Sequence, residues 1–334
     1  MCILSLFASC KNREVKPADN TNTEQECNAN NAVYYWKTTF KLSDEERDFL
    51  SEHQIKRLYL RYFDVCRDPD YFWIPVPEAT LIFLDTIPHY LEVVPTVFID
   101  NNLFKDFNMT EYAELLVNRI RTMTETNDVP NVREVQIDCD WTQTTETAYF
   151  DFLEQVRELL KKKSIALSAT IRLHQLRMKA PPIEKGVLMC YNTGGVRNPK
   201  INNSILAAND VALYAKNLQN YPLLLDIAYP TFSWTVWFRN NEFQALLRKV
   251  DPENENLLQK ENNRYVVKSG FYQEGHWLRT GDEIRIETSD FNEIIQAKSM
   301  LERQTKNYSI ILYHLDSNNL SKYTKDEITQ IYAH

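Results

Sequence analysis

Glycine is nearly missing. The 334-residue chain holds six, where average usage of about 7% would supply roughly 23. The first is Gly186, so the N-terminal half has no glycine-rich phosphate loop. Gly194, Gly195, Gly270, Gly275 and Gly281 match neither the dinucleotide nor the P-loop spacing. Rossmann dehydrogenases, P-loop NTPases and kinases are thereby excluded. A basic excess is absent too: 38 Lys and Arg stand against 46 Asp and Glu, a formal net charge of −8. Such a chain has little with which to neutralise a phosphate backbone, so no nucleic-acid partner is expected. No run reaches the ~18 apolar residues of a membrane span. The six cysteines form no C-x-x-C and no Cys/His spacing suited to zinc, so neither a metal nor another cofactor is expected. Cys139 and Cys190 fall inside apolar runs, where Cys most often serves as a small hydrophobe.

What is present is ordinary globular composition, 43% apolar and 12% aromatic. Residues 1–10 read MCILSLFASC, an apolar stretch that ends Phe7-Ala8-Ser9-Cys10 before the chain turns abruptly polar. This resembles the lipobox of bacterial lipoproteins, in which a Cys after small residues is diacylated and becomes N-terminal. Phe7 stands where Leu is commoner, and nine residues precede Cys10 with no basic segment, as in a signal shortened at its start. The resemblance implies lipidation of Cys10, a membrane anchor, and residence in a bacterial cell envelope, on the periplasmic face or the cell surface. The other reading is an apolar terminus of a cytosolic protein. Residues 11–32 are rich in Asn, Thr, Glu and Lys and contain no aromatic residue. They bury too little to offset ordering entropy and read as a flexible polar tether.

From residue 33 to 334 the pattern alternates without a repeat or an interdomain linker, as one domain. Strand-like runs occupy 33–40, 57–65, 93–100, 133–141, 165–173, 186–192, 222–229 and 309–316, each rich in β-branched or aromatic residues. Helical spacing marks 110–126 and 146–163, and further helices are expected at 204–219 and 289–305. Ser43 with Glu46 and Thr324 with Glu327 form capping boxes that open helices at 44–54 and 325–333. Two connections break the rhythm: 66–91, with three prolines, and 251–285, which reads as a long loop with a hairpin. Eight strands alternating with helices predict an α/β fold, a (β/α)8 TIM barrel with insertions after strands 2 and 7. A doubly wound open sheet is the alternative, disfavoured because its glycine-rich turns are missing.

Barrel sites lie at the C-terminal strand ends. Along 133–141, Gln136, Asp138 and Asp140 share one face while Val135, Ile137, Cys139 and Trp141 share the other. Two aspartates then point into the mouth, close enough for like-charge repulsion to leave one of them protonated; carboxylates bonded for stability alone are the plainer reading. On the next strand Ser168, Thr170, Arg172 and His174 share a face, and an Arg172–Asp140 salt bridge is the plain alternative to ligand contact. Arg61 and Asp64, Asp100, Tyr191 and Asn192, Asp226 and Tyr229, and His314 and Asp316 end their strands. Aromatic residues follow at 71–73, at Trp234 and around Tyr272 and Trp277, where they either cover the ends of the core or stack on sugar rings. The expected partner is an oligosaccharide or polysaccharide.

Gln136-Ile137-Asp138-Cys139-Asp140-Trp141 is similar to the fourth-strand signature of family 18 glycoside hydrolases, the chitinase group, D-G-x-D-x-D-x-E. Met189-Cys190-Tyr191-Asn192 resembles their sixth-strand M-x-Y-D/N. A closer likeness is to uncharacterised lipoproteins of Bacteroides-type bacteria with such barrels. The resemblance implies a glycoside-hydrolase-like barrel in which Asp138 and Asp140 orient a substrate acetamide and Tyr191 bonds to it. The acid position of the signature is Thr142 and its first Asp is Val135. A family mechanism without its acid loses about 10²–10⁴-fold, so a glycan-binding protein with impaired catalysis is expected. The alternatives are an active hydrolase pairing Asp138 or Asp140 with Asp226, Asp316 or Glu274, and a structural envelope lipoprotein.

Overall fold

The computed structural model describes residues 31–68, 70, 74–248, 250–261, 264–305 and 308–334. Cys10, the expected tether up to residue 30 and the aromatic run 71–73 lie outside the described residues. Eight parallel strands form the barrel: β1 (Ala32–Tyr35), β2 (Arg57–Arg67), β3 (Glu92–Ile99), β4 (Glu134–Asp138), β5 (Ala166–Arg172), β6 (Lys185–Met189), β7 (Leu225–Pro230) and β8 (Ile310–Tyr313). Each pairs with the next. β1 closes the ring by pairing with both β2 (Tyr34 opposite Tyr59) and β8 (Val33 opposite Leu312).

Alternation sorts the side chains. Val33 and Tyr35 of β1 pack outward into the main core, whereas Ala32 and Tyr34 join an inner cluster with Tyr59, Val94, Val187, Met189, Ala228 and Ile311. Below that apolar layer, at the N-terminal ends of the strands, lies a charged one. Arg57 meets Glu92 at 3.0 Å and Glu134 at 3.6 Å, and Lys185 pairs with Asp226. Ser168 donates to Glu134 at 2.5 Å, and the Ser309 N–H donates to Asp226 at 2.7 Å. The two buried carboxylates, Glu134 and Asp226, are thus matched by cations, as burial requires.

The longer helices are α1 (Asp44–Glu52), α2 (Met109–Thr126), α3 (Glu146–Lys161), α4 (Ala208–Leu218), α5 (Phe291–Glu302) and α6 (Lys325–Tyr332). Both expected capping boxes form, opening α1 and α6. Apart from α2, which begins one residue earlier than expected, the expected helices run one to five residues longer than the observed ones, most visibly at 204–219, whose first residues belong to a loop. Among the described residues β2 is followed not by a helix but by a strand, Pro75–Glu78, lying antiparallel on its edge. β5 is followed by a 3-10 turn, Leu173–Arg177.

The connection after β7 corrects the sequence reading of a loop with a hairpin. Strands Ser233–Arg239, Glu242–Leu247, Leu258–Glu261, Arg264–Val267 and Glu283–Thr288 form an antiparallel sheet, and Phe271–Gln273 pairs with His276–Leu278 as a hairpin. Trp237, Leu247, Leu258, Val267, Leu278 and Ile284 give this insertion a small core of its own. The turn at Glu274 and Gly275 has positive φ at both positions, 50° and 80°, the geometry of a two-residue hairpin turn.

Candidate functional site

The C-terminal strand ends surround one mouth, and the inward positions of β4 and β5 set its chemistry. Asp138 is buried; its Oδ1 accepts from Thr170 Oγ1 at 2.6 Å and from Arg172 Nη2 at 2.9 Å. The Asp140 side chain is 62% exposed and stands 3.8 Å from Arg172 Nε. β4 ends at Asp138, so the chain leaves strand geometry before Asp140 and the two carboxylates part. Arg172 stands between them. Although burial opposes its charge, the Asp138 carboxylate holds the Arg172 guanidinium above its ordinary value. Arg172 Nη1 is buried without a hydrogen-bond partner.

Arg61 reaches the mouth by a different route. Residues three apart on a regular strand face opposite sides, but the pairing of β2 with β3 shifts register between Arg61 and Phe63. This bulge turns Asp64 to the same side as Arg61, which donates to it through Nε at 2.8 Å and also through Nη2. The Arg61 guanidinium lies 5.7 Å from the centre of the Trp36 ring.

Aromatic rings fill the rest of the opening. Tyr313 has its centroid 5.4 Å from Tyr34, 5.7 Å from Trp36 and 5.2 Å from Tyr191. Phe232 continues the wall, 5.6 Å from Tyr191 and 5.2 Å from Trp234. The Tyr34 hydroxyl donates to Gln136 Oε1 at 2.7 Å. Burial pushes the Tyr191 and Tyr313 hydroxyls well up, aided by Tyr313 in the first case and by Asp138 in the second. Both phenols therefore keep their protons; that of Tyr191 donates to Met189 Sδ at 3.6 Å, a weak acceptor that a ligand oxygen can replace.

Trp234 is held from behind. Its Nε1 donates to Glu287 Oε2 at 2.9 Å, and the same oxygen accepts from Ser204 N and Oγ at 2.6 Å each. Arg285, fully buried, binds Glu287 Oε1 through Nε at 2.6 Å. Its other nitrogens donate to the carbonyls of Val196, Asn198 and Ile201. One buried ion pair thus fastens the β6–α4 loop to the insertion and fixes a ring at the rim.

The remaining residues singled out in the sequence fall in other places. Asp226 is the second residue of β7 rather than its end, and sits at the bottom of the barrel with Lys185. Tyr229 packs outward in the main core, because β7 is one residue out of phase with the expected strand end. His174 lies in the 3-10 turn, exposed, since β5 stops at Arg172. Asn192 is exposed just past β6 with φ of 54°. His314 follows β8, half-buried, and burial lowers its imidazole below the ordinary value. Asp316 caps a short helix, Ser317–Leu320, and stands 3.4 Å from Lys37, which binds Glu46 at 2.5 Å. Glu274 tips the insertion hairpin, where it accepts from the Arg248 N–H at 2.6 Å.

Thr142 also turns away from chemistry. Its N–H donates to Thr145 Oγ1 at 3.0 Å and its hydroxyl meets that of Thr144 at 2.9 Å, within the turn that opens α3. Trp36, Tyr34 and Tyr313 were not picked out from the sequence. The signal was there: Tyr34 and Trp36 alternate with Val33 and Tyr35, and Tyr313 lies two residues beyond the inward Ile311. Among the described residues no group of three or more His, Cys, Asp or Glu is placed to hold a metal, and Cys66, Cys139 and Cys190 are free thiols.

No protein-family model matches the chain, and no curated protein matches it in sequence. Solved structures do match in fold. The spore cortex-lytic enzyme SleL of Bacillus megaterium QM B1551 is 12% identical, with a TM-score of 0.54 over 92% of this chain and 74% of that one. The GH18 chitinase ChiB from the chitin utilization locus of Flavobacterium johnsoniae is 12% identical, with a TM-score of 0.51 over 91% and 94%. The chitinase from Chromobacterium violaceum ATCC 12472 is 9% identical, with a TM-score of 0.52 over 91% and 98%. The fold is a chitinase-like (β/α)8 barrel. Within this chitinase-like barrel, β4 and β6 carry the two patches, ending in Asp138 and followed by Tyr191, that resemble the chitinase signatures, and both residues border the mouth. Thr142, which the resemblance sets at the acid position, lies in the turn before α3, whose N-cap is Thr145.

Proposed function

We propose that this protein holds a glycan at the mouth of its barrel without cleaving it. The observation that carries the reading is the Arg172 guanidinium seated between Asp138 and Asp140, with a threonine at position 142 in the turn before α3. Glycoside hydrolysis asks one carboxyl group for a proton and a second for a nucleophile or base. At this mouth Asp138 is bonded through Oδ1 to Arg172, Asp64 to Arg61, and Asp316 faces Lys37, so each of these carboxylates is paired with a cation. What is left toward solvent is a wall of rings, two phenol donors, two guanidinium groups and one exposed carboxylate. That set suits a polyhydroxylated ligand: ring faces meet C–H faces, and charged groups meet hydroxyls.

Support for the ligand class comes from the barrel shared with chitinases and cortex-lytic enzymes. Support for a lipid anchor comes from the sequence around Cys10. The anchor would make the protein an envelope-bound glycan receptor, and radiolabelled palmitate incorporation lost on C10A tests it. The main test incubates the protein with chitooligosaccharides, peptidoglycan fragments and N-glycans, following binding by calorimetry and cleavage by mass spectrometry. Binding without cleavage is expected. Cleavage that disappears in a D138N/D140N variant would overturn the reading in favour of a hydrolase, for which the exposed Asp140 is the available carboxylate.

A further inference from the structure

A second opening lies on the outside of the barrel, between α2 and α3, which pack on each other. Its volume is about 450 Å³. The floor is Ile120 of α2, Val135 of β4 and Leu160 of α3, each no more than 3% exposed. Half-buried Val117, Val132, Leu159 and Ile165 form the walls. Packed interiors leave few voids larger than a water molecule, and water in this one would meet aliphatic carbon on the floor and both walls. Val132 and Ile165 stand just before β4 and β5, so the opening sits toward the end of the barrel opposite the mouth. Its shape narrows the choice of ligand. The lining extends along α2 from Glu114 to Glu125, about 16 Å at 1.5 Å per residue. A helix with its side chains is about 10–12 Å across, so roughly one turn of it would fill the volume. An unbranched hydrocarbon chain suits a space that is long, narrow and apolar.

Charge sets the orientation of that chain. Lys162 and Lys163 line one end, both exposed, and among the described residues neither ammonium group has a partner. They are not needed to close α3. The Leu160 carbonyl accepts from the Lys163 N–H at 2.8 Å and the Ile165 N–H at 3.2 Å, and the Lys161 carbonyl accepts from the Ser164 N–H at 3.0 Å. α2 closes in the same manner, with the Val129 N–H on the Thr124 carbonyl at 3.0 Å. The two helix C-termini together bring about one negative charge, which the two ammonium groups exceed. Glu125, at this end, is bonded to Arg121 at 2.7 Å. Glu114 lies at the other end of the lining on α2, so an anionic group is favoured only beside the lysines.

We infer that this opening binds a long-chain fatty acid, its carboxylate between Lys162 and Lys163 and its chain laid along α2 over Val135. The site is separate from the mouth, so the inference does not rest on the glycan reading. The test follows the fluorescence of cis-parinaric acid on the full chain, below the micelle concentration, with palmitate as competitor. One probe per chain is expected, displaced by palmitate and displaced roughly tenfold less well by myristate, which lacks two methylenes. Hexadecanol and hexadecyltrimethylammonium, equally long but without the negative charge, should compete at least about tenfold less well than palmitate. K162E/K163E should lower palmitate affinity by a similar factor, and V117W, which fills the slot, should abolish binding. The double variant changes only exposed side chains, so it tests the inference even where V117W does not fold. No binding by the wild type, a neutral or cationic head competing as well as palmitate, or unchanged affinity in K162E/K163E would each overturn the inference.

Discussion

Replacing Arg172 by Met tests the arrangement at the mouth most directly. The substitution keeps the apolar stem and removes the charge that Asp138 faces at 2.9 Å. Asp138 is 5% exposed, so water cannot take over the guanidinium's role, and only the bond from Thr170 remains. Breaking a buried pair from one side costs about 3–5 kcal/mol. Arg172 itself is one-fifth exposed, which reduces the expected loss to about 2–3 kcal/mol. In a domain of this size that corresponds to a melting-point drop of roughly 4–6 °C. The double variant D138N/R172M removes both charges and should regain about half of the loss, the non-additivity expected of residues in direct contact. Scanning calorimetry of the wild type, both single variants and the double variant gives the full cycle. R172M melting within about 1 °C of wild type, or the double variant proving no better than R172M alone, would refute the claim that this ion pair organises the site.

Three further outcomes follow from neighbouring groups. Asp140, 62% exposed, contributes little packing, so D140A should melt within about 1–2 °C of wild type while glycan affinity falls about tenfold or more, as for one charged hydrogen bond; a collapse of folding would instead make Asp140 structural. T142E should fold and still show no hydrolysis by mass spectrometry, because Arg172 remains on Asp138; measurable cleavage would mean the acid position alone was limiting. Cys66 is half-buried, and burial together with the Glu78, Asp64 and Asp100 carboxylates pushes its thiol up to about 11. Its alkylation by iodoacetamide, read site by site by peptide mass spectrometry, should therefore be slow at pH 8 and quicken toward pH 11, whereas rapid labelling at pH 8 would contradict the burial.

Burial also sets a pH trend through His314, His53 and His334, all lowered, first of all, by desolvation. A histidine lowered in the folded state binds fewer protons there than in the unfolded chain. The resulting stability is present above the ordinary histidine value of about 6.5 and is lost as pH falls from there through the lower folded values. A melting temperature that drops between pH 7 and 5, and drops less in H314Q, is the expected pattern; no change in H314Q would place the sensitivity in the other two rings.

The eight strands were legible because a barrel strand repeats one instruction: apolar out toward the helices, mixed in toward the axis. Val135 and Ile137 against Gln136 and Asp138 state it plainly, and the structure keeps that division. Phase and length were harder to read. Tyr229 and Asp226 exchange meanings once β7 starts at Leu225, because a shift of one residue inverts every side chain. The Arg61–Asp64 pair depends on a bulge, and the Tyr62-Phe63 step at which it falls carries no glycine or proline to mark it.

The insertion shows the deeper limit. In Glu283–Thr288 the residues Ile284 and Ile286 alternate with Arg285 and Glu287, which reads as one buried and one solvated face. Both faces are in fact covered, because the loop at 193–206 folds over the charged side and gives Arg285 its carbonyls. Nothing local to the strand announces that cover; it comes from a segment about 80 residues away in sequence. The consequence reaches the mouth, since the carboxylate hidden there is the one that orients Trp234. Buried, charge-matched and bonded on both oxygens, the Arg285–Glu287 pair is costly to form and costly to break from one side, and that asymmetry suits a part whose task is to hold a ring at the rim in one position.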